Sequence, residues 1–259
     1  MLGSVAGDII GSVHEWTATK TKDFPLFTAR SSFTDDSVLT FAVAHQLLDP
    51  CGYAEAYHRY ALAYPGRGYG GRFQEWIRAG TRQPYGSYGN GSAMRVSPVA
   101  YAHETMEEVL DEASRSAAAT HDHPEGIRGA QAVAAAVFLA RKGAGQRTIR
   151  RLIQDRFGYD LRPTLAAIRP SYVFDETCQG SVPQALTAFL EASNYEDAVR
   201  NAISLGGDAD TLACIAGGIA EAHFGLPSNI AQQALARLPE PLRRVYHAFR
   251  HRFPSGATL

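Results

Sequence analysis

The sequence predicts an all-α protein, on three observations. Apolar or small residues recur at three- and four-residue spacing, first as Leu2, Val5, Ile9 and Val13, then as Leu39, Ala42, Val43, Gln46 and Leu47. Alternating β-branched runs of period two are nearly absent. Alanine, the best helix former, is abundant. These observations imply about ten or more helices.

Taken in order, the helical pattern covers the N-terminal segment through Val13, then the stretch from Val38. It returns over 104–119, 123–142, 181–192, 196–205 and 208–224. The longest connection, 64–92, is rich in Gly, Pro and aromatics and holds one short helical pattern near Phe73–Ala79. A connection of that length in a folded chain points to function, and its aromatics argue against disorder. In Ala213–Ala222 small and apolar residues run nearly all round the helix, so it is a buried helix. Gly217 and Gly218 weaken its propensity, and close backbone approach is the reason expected for them. Without a composition shift or a repeat, residues 1–259 read as one domain, with 253–259 a loose tail.

The chain has 259 residues, of which 45% are hydrophobic and 20% charged. That composition belongs to a folded protein and excludes a disordered chain or a coiled coil. A formal charge of -1 excludes a general nucleic-acid or acidic-membrane binder. No apolar run approaches the ~18 residues of a membrane helix. The first residues lack a basic start and carry Asp8 and Glu15, so they are not read as a secretory signal. Cys51, Cys178 and Cys214 form no metal-binding or disulfide pattern and are read as small buried hydrophobes, consistent with a reducing cytoplasm.

Two acidic clusters stand out as candidates for chemistry. Thr34-Asp35-Asp36 precedes one helical pattern, and Asp208-Ala209-Asp210-Thr211 opens the small-residue helix. Each places two carboxylates and a hydroxyl at a helix start. Either cluster alone is accounted for by capping and by the helix dipole. Brought together they would offer hard oxygen ligands for Mg²⁺, Mn²⁺ or Ca²⁺ rather than zinc. Four such charges converge only with cations, for which two ions sharing a carboxylate would serve. Glu15 lies one or two turns beyond Asp8 on an otherwise apolar helix; alternatively the helix ends there and Glu15 is solvated. The glycines of Gly86-Ser87-Tyr88-Gly89-Asn90-Gly91-Ser92 and of Gly66–Gly71 could aim backbone N–H groups at a phosphate or form plain turns. Neither follows a predicted strand nor matches a nucleotide-binding lysine loop, and no serine-hydrolase elbow is present. His121-Asp122-His123-Pro124-Glu125 reads as a polar helix entrance, with Pro124 at the first helical position, rather than as a zinc site.

Together, GSVAGDIIGSVHE (3–15), FTDDS (33–37), GRGYGGRF (66–73), GSYGNGSAMRVSPVA (86–100), THDHPEGIRGAQA (120–132) and GGDADTLACIAGGIAEAHFG (206–225) resemble the ADP-ribosylglycohydrolase family, in order and over most of the chain. The resemblance implies an all-α fold and a hydrolase that cleaves the bond between C1″ of ADP-ribose and an acceptor, reversing mono-ADP-ribosylation. It implies two divalent cations, Mg²⁺ or Mn²⁺, held by Thr34, Asp35, Asp36, Asp208, Asp210 and Thr211. Glu15, Asp35 and Asp36 are then catalytic. Gly86, Ser87, Tyr88, Gly89 and Asn90 hold the diphosphate and distal ADP-ribose, His121 the ribose, and Tyr88 or, more loosely, Tyr85 stacks on adenine. The expected partner is an ADP-ribosylated protein or small conjugate, with no nucleic acid and no membrane, and the chain a cytoplasmic monomer. Arginine, serine and non-protein acceptors remain open, as do hydrolysis of another compound such as O-acetyl-ADP-ribose and a non-catalytic relative.

Overall fold

Side-chain caps explain where several of the helices begin. The computed structural model describes residues 1–254, and within them fifteen helical segments form, with no strand. The first six are α1 (Leu2–Gly11), α2 (Asp35–Leu48), α3 (Tyr53–Ala63), α4 (Gly71–Ala79), α5 (Gly91–Met94) and α6 (Val99–Ala102). Next come α7 (Met106–Ala118), α8 (Pro124–Arg141), α9 (Gln146–Phe157), α10 (Leu165–Ile168), α11 (Cys178–Leu190) and α12 (Tyr195–Ile203). The chain closes with α13 (Ala209–Phe224), α14 (Ser228–Ala236) and α15 (Glu240–Arg252). Thr105 and Glu108 close a capping box on α7, and Thr177 and Asn194 cap α11 and α12 through their side chains. The His123 side chain caps α8, with Pro124 at its start, so the helix-entrance reading of 121–125 holds. None of the helices among the described residues is long and apolar enough to cross a membrane.

Three expectations shift. α1 stops at Gly11, and Val13 to Ala18 form turns, so Glu15 stands beyond the helix rather than on it. α11 begins at Cys178, before the expected 181, because Thr177 supplies the cap. Cys51 is exposed, unlike buried Cys178 and Cys214. The tail expected at 253–259 lies outside the described residues from 255 onward; the Phe253 ring packs tilted against Phe249, with centroids 4.9 Å apart.

α13 is the central helix, buried from Ala209 to Ala220 and packed by α1, α8, α11 and α12. Its contact with α1 is the most extensive helix pair and is made backbone to backbone. Gly3, Gly7 and Gly11 fall four residues apart on one face of α1. A Cβ at Gly11 would lie 2.5 Å from Asp210 Cα, and one at Gly3 would lie 2.6 Å from the Gly217 carbonyl oxygen. At Gly7 it would overlap the Ala213 carbonyl oxygen. The close approach expected at Gly217 is therefore real, and its partner is Gly3, whose carbonyl oxygen would lie 2.5 Å from an added Cβ. This seam brings Asp8 of α1 to the N-terminus of α13. Gly7→Ala should cost roughly 3 kcal/mol, because neither backbone can yield, and so lower the melting temperature by about 6–12 °C. Thermal circular dichroism checks this; an unchanged melting point would mean that the helices are not in backbone contact.

Candidate active site

Two helix N-termini and the turn after α1 converge on one cleft of about 410 Å³, a size that suits a nucleotide-like ligand. At the first terminus Thr34 does cap α2: its Oγ1 accepts the Asp36 N–H at 3.3 Å. The same hydroxyl donates to Asp8 Oδ1 at 2.6 Å. The Asp35 N–H donates to the Arg67 carbonyl at 2.8 Å, which orients the start of the helix. Asp36 Oδ2 accepts from Thr211 Oγ1 at 3.3 Å, while its buried Oδ1 has no partner. At the second terminus Asp208 holds the cap position of α13 without capping it. Its Oδ2 instead accepts from Asn90 Nδ2 at 2.7 Å, and Asp210 Oδ1 accepts the Thr211 N–H at 2.9 Å. Capping thus explains Thr34 and leaves Asp36, Asp208 and Asp210 to be explained otherwise.

The two acidic clusters meet through Asp36, Asp208 and Asp210, while Asp35 lines the cleft outside the groups they form. Carboxylate oxygens of Asp8, Asp36 and Asp210 form one group within 4.8 Å of one another, and those of Glu15, Asp208 and Asp210 form a second. Asp210 belongs to both. Burial, then the charges of Asp210 and Asp8, push Asp36 well above the carboxylate range. Burial and the same two charges do so for Asp35, and burial with Asp208 for Asp210. Asp208 is pushed up to about 6, mainly by burial. The dipoles of two helix N-termini favour these anions by only ~0.3–1 kcal/mol each, too little to offset desolvation and mutual repulsion. A buried carboxylate oxygen without a donor, hard ligands only and charge in excess together fit divalent cations.

Asp8 escaped the sequence reading as a site residue. It is buried within α1, and its carboxylate accepts from the Thr34 N–H (3.0 Å) and hydroxyl and from the Ser37 N–H (3.1 Å) and hydroxyl. Oδ2 takes three of these donors and Oδ1 one, so Asp8 ties the start of α2 to α1 while Oδ1 keeps capacity to accept. It also ties up the Thr34 hydroxyl proton and leaves that oxygen an acceptor. A lone carboxylate on the buried face of an apolar helix was the available signal.

Glu15 stands beside Asp208 and Asp210 at the cleft wall. Burial first, then Asp210 and Asp8, raise its pKa to about 7, opposed by a bond from Trp16. Exposed Trp16 stacks on Phe174 at 5.3 Å, and this pair forms the rim beside Glu15.

The rest of the cleft mixes basic and aromatic side chains with glycines and Glu176. Arg72, Tyr85, Arg95 and His121 line it with Ser87, Gly89, Asn90 and Gly91. Arg95 is fully buried, stacks 4.0 Å from the Tyr57 ring, and has no partner for Nε or Nη1. Asn90 joins the two regions: its side chain holds Asp208, and the adjacent Gly91 faces His121. The glycine loop itself differs from a nest of free N–H groups. The N–H of Gly86 donates to Asp122, that of Ser87 to Thr120, that of Gly89 to the Ser87 hydroxyl and that of Asn90 to Glu176. Those bonds fix the loop, so its Ser87 and Asn90 side chains rather than these four N–H groups are available to a ligand. Tyr88 packs its ring against His123 and is not a cleft residue, whereas Tyr85 is.

The family model described as ADP-ribosylglycohydrolase matches residues 1–256. The ADP-ribosylhydrolase ARH3 of Mus musculus is 28% identical over 87% of this chain and 83% of its own length. The ADP-ribosylarginine hydrolase Tri1 of Pseudomonas putida is 26% identical over 87% of this chain and 70% of its own. A solved chain of an "ADP-ribosylglycohydrolase-related protein complex" is 24% identical, with a TM-score of 0.71 over 97% of this chain and 96% of that one, and so shares the fold. Motifs, fold and family model agree over nearly the whole length: the chain belongs to the ADP-ribosylglycohydrolase family.

Proposed function

We propose that this chain is a metal-dependent hydrolase that cleaves the bond between C1″ of ADP-ribose and an acceptor, a protein side chain, and so reverses mono-ADP-ribosylation. The observation that carries the reading is the pair of carboxylate groups sharing Asp210, one of them including Glu15, in a cleft that Arg72 and Arg95 also line. Thr34, Asp35, Asp36, Asp208, Asp210 and Thr211 would hold two divalent cations, Mg²⁺ or Mn²⁺. Bound there, such cations supply Lewis acidity and lower the pKa of coordinated water.

The chain's own groups divide the remaining work. Glu15 accepts a proton or hydrogen bond from the attacking water or a ribose hydroxyl. The carboxylates near C1″ favour the oxocarbenium-like charge that develops as the bond breaks. Asn90 keeps Asp208 oriented. The unpaired nitrogens of Arg95, with Arg72, favour an anionic ligand end, and Tyr85 offers the aromatic face there. Trp16 and Phe174 wall off the acceptor side.

Hydrolysis of another ADP-ribose compound such as O-acetyl-ADP-ribose is the second reading; the name of the Tri1 relative favours the glycosidic one. The completeness of the acidic site speaks against a non-catalytic relative. The test is incubation with arginine- and serine-linked ADP-ribosyl peptides and with O-acetyl-ADP-ribose, with Mg²⁺ or Mn²⁺ and with EDTA. Free ADP-ribose and unmodified peptide are expected only with metal. Acetate release alone, or full activity in EDTA, would overturn the proposal.

A further inference from the structure

We propose that Arg95 and Thr120 lock His121 in the tautomer that carries its proton on Nε2, so that the cleft receives a neutral imidazole N–H donor. The Arg95 guanidinium has donors only, and Nη2 donates to Thr120 Oγ1 at 2.7 Å. The same Oγ1 lies 2.7 Å from His121 Nδ1. Thr120 is fully buried, so its single hydroxyl proton needs an acceptor within the protein. Arg95 cannot accept it; Nδ1 can. Nδ1 is therefore the acceptor, and in a neutral ring the proton sits on Nε2.

The surroundings agree. Nε2 faces Gly91 and Gly89, where an added Cβ would lie 3.2 and 3.6 Å from it. The glycines keep that nitrogen open to the cleft. Protonation of the ring is opposed, first by burial and then by the charges of Arg95 and Arg72. Arg95 and Thr120 are thus positioning residues: they act on a ligand oxygen through His121. This assignment of a ligand contact rests on the cleft holding ADP-ribose; the tautomer does not.

The experiment has two readouts. In the wild-type protein, long-range ¹H–¹⁵N NMR of His121 should give a pyridine-like Nδ1 and a pyrrole-like Nε2, without any ligand. A pyrrole-like Nδ1 would overturn the proposal. Thr120→Val keeps the side-chain shape and removes the hydroxyl. It should change the tautomer pattern and weaken calorimetric binding of ADP-ribose about tenfold, the scale of one neutral hydrogen bond. Thr120→Ser should restore both, which a merely structural role would not require. Unchanged affinity in Thr120→Val together with an altered tautomer would overturn the ligand contact. If Thr120→Val does not fold, the wild-type spectrum and Thr120→Ser still decide. Absence of ADP-ribose binding in the wild type would sink the functional reading and the ligand contact, while the spectrum still decides the tautomer.

Discussion

Asp210→Asn is expected to abolish turnover while raising the melting temperature of the metal-free protein. Asp210 is the carboxylate common to both acidic groups, so its loss should disturb both of the proposed cations. Several kcal/mol of transition-state stabilisation is at stake, which corresponds to ~10³-fold or more in rate. The stability change has the opposite sign. Buried carboxyls with raised pKa values bind protons more tightly folded than unfolded. Their contribution is fully present below the ordinary pKa near 4 and is lost as pH rises through the folded values. Those are about 6 for Asp8 and Asp208 and about 7 for Glu15, and Asp36 and Asp210 are also raised well above the ordinary carboxylate value. The EDTA-treated wild type should therefore melt at lower temperature as pH rises from 5 to 8. Added Mg²⁺ or Mn²⁺ should reverse the loss by binding only the folded state. An amide at 210 still accepts the Thr211 N–H and removes one repelling charge. That is a gain of a few kcal/mol near neutral pH, or several degrees for a chain this size. The metal-induced shift should shrink correspondingly. Differential scanning calorimetry with and without metal, alongside ADP-ribose release, measures both. Turnover within threefold of wild type, or a melting point indifferent to metal, would remove the shared-carboxylate site.

Glu15→Gln should reduce single-turnover release of ADP-ribose by about 10²–10⁴, the scale of general acid–base work. The amide preserves size and the contact with Trp16 but cannot take a proton. Glu15 is half-buried on a turn beside Asp208 and Asp210, so it can reach a water there without forming part of the core. Affinity for ADP-ribose should change by less than about threefold, because Arg72, Arg95, Tyr85 and His121 lie elsewhere in the cleft. Retention of rate would leave the water to the aspartates and cations alone. A loss of affinity matching the loss of rate would recast Glu15 as a binding residue.

Local chemistry made much of this protein legible from its sequence. The 3.6-residue periodicity named the helices with broad apolar stripes, α2, α8, α11 and α13, because one buried face requires it. It did not single out α9 and α15, whose many charged residues leave only a thin stripe such as Ile149, Ile153 and Phe157. The paired TDD and DADT clusters announced an acidic helix-start chemistry, since each offers more oxygens than one cap can use. Tertiary structure decided what they become. The backbone seam of Gly3, Gly7 and Gly11 against α13 brings Asp8 to Asp210, and no local pattern in either helix encodes that meeting. Asp8 looked like an interruption of an apolar helix until Thr34 and Ser37, 26 and 29 residues away, supplied its donors. Likewise the glycine loop could be read as N–H groups aimed at a phosphate or as a plain turn, because the partners Asp122, Thr120 and Glu176 come from other segments. A sequence fixes which groups a residue carries and the period of its helix. Which lone pairs and protons remain unspent is settled only when distant segments pack, and the chemistry of the cleft is made of those that remain.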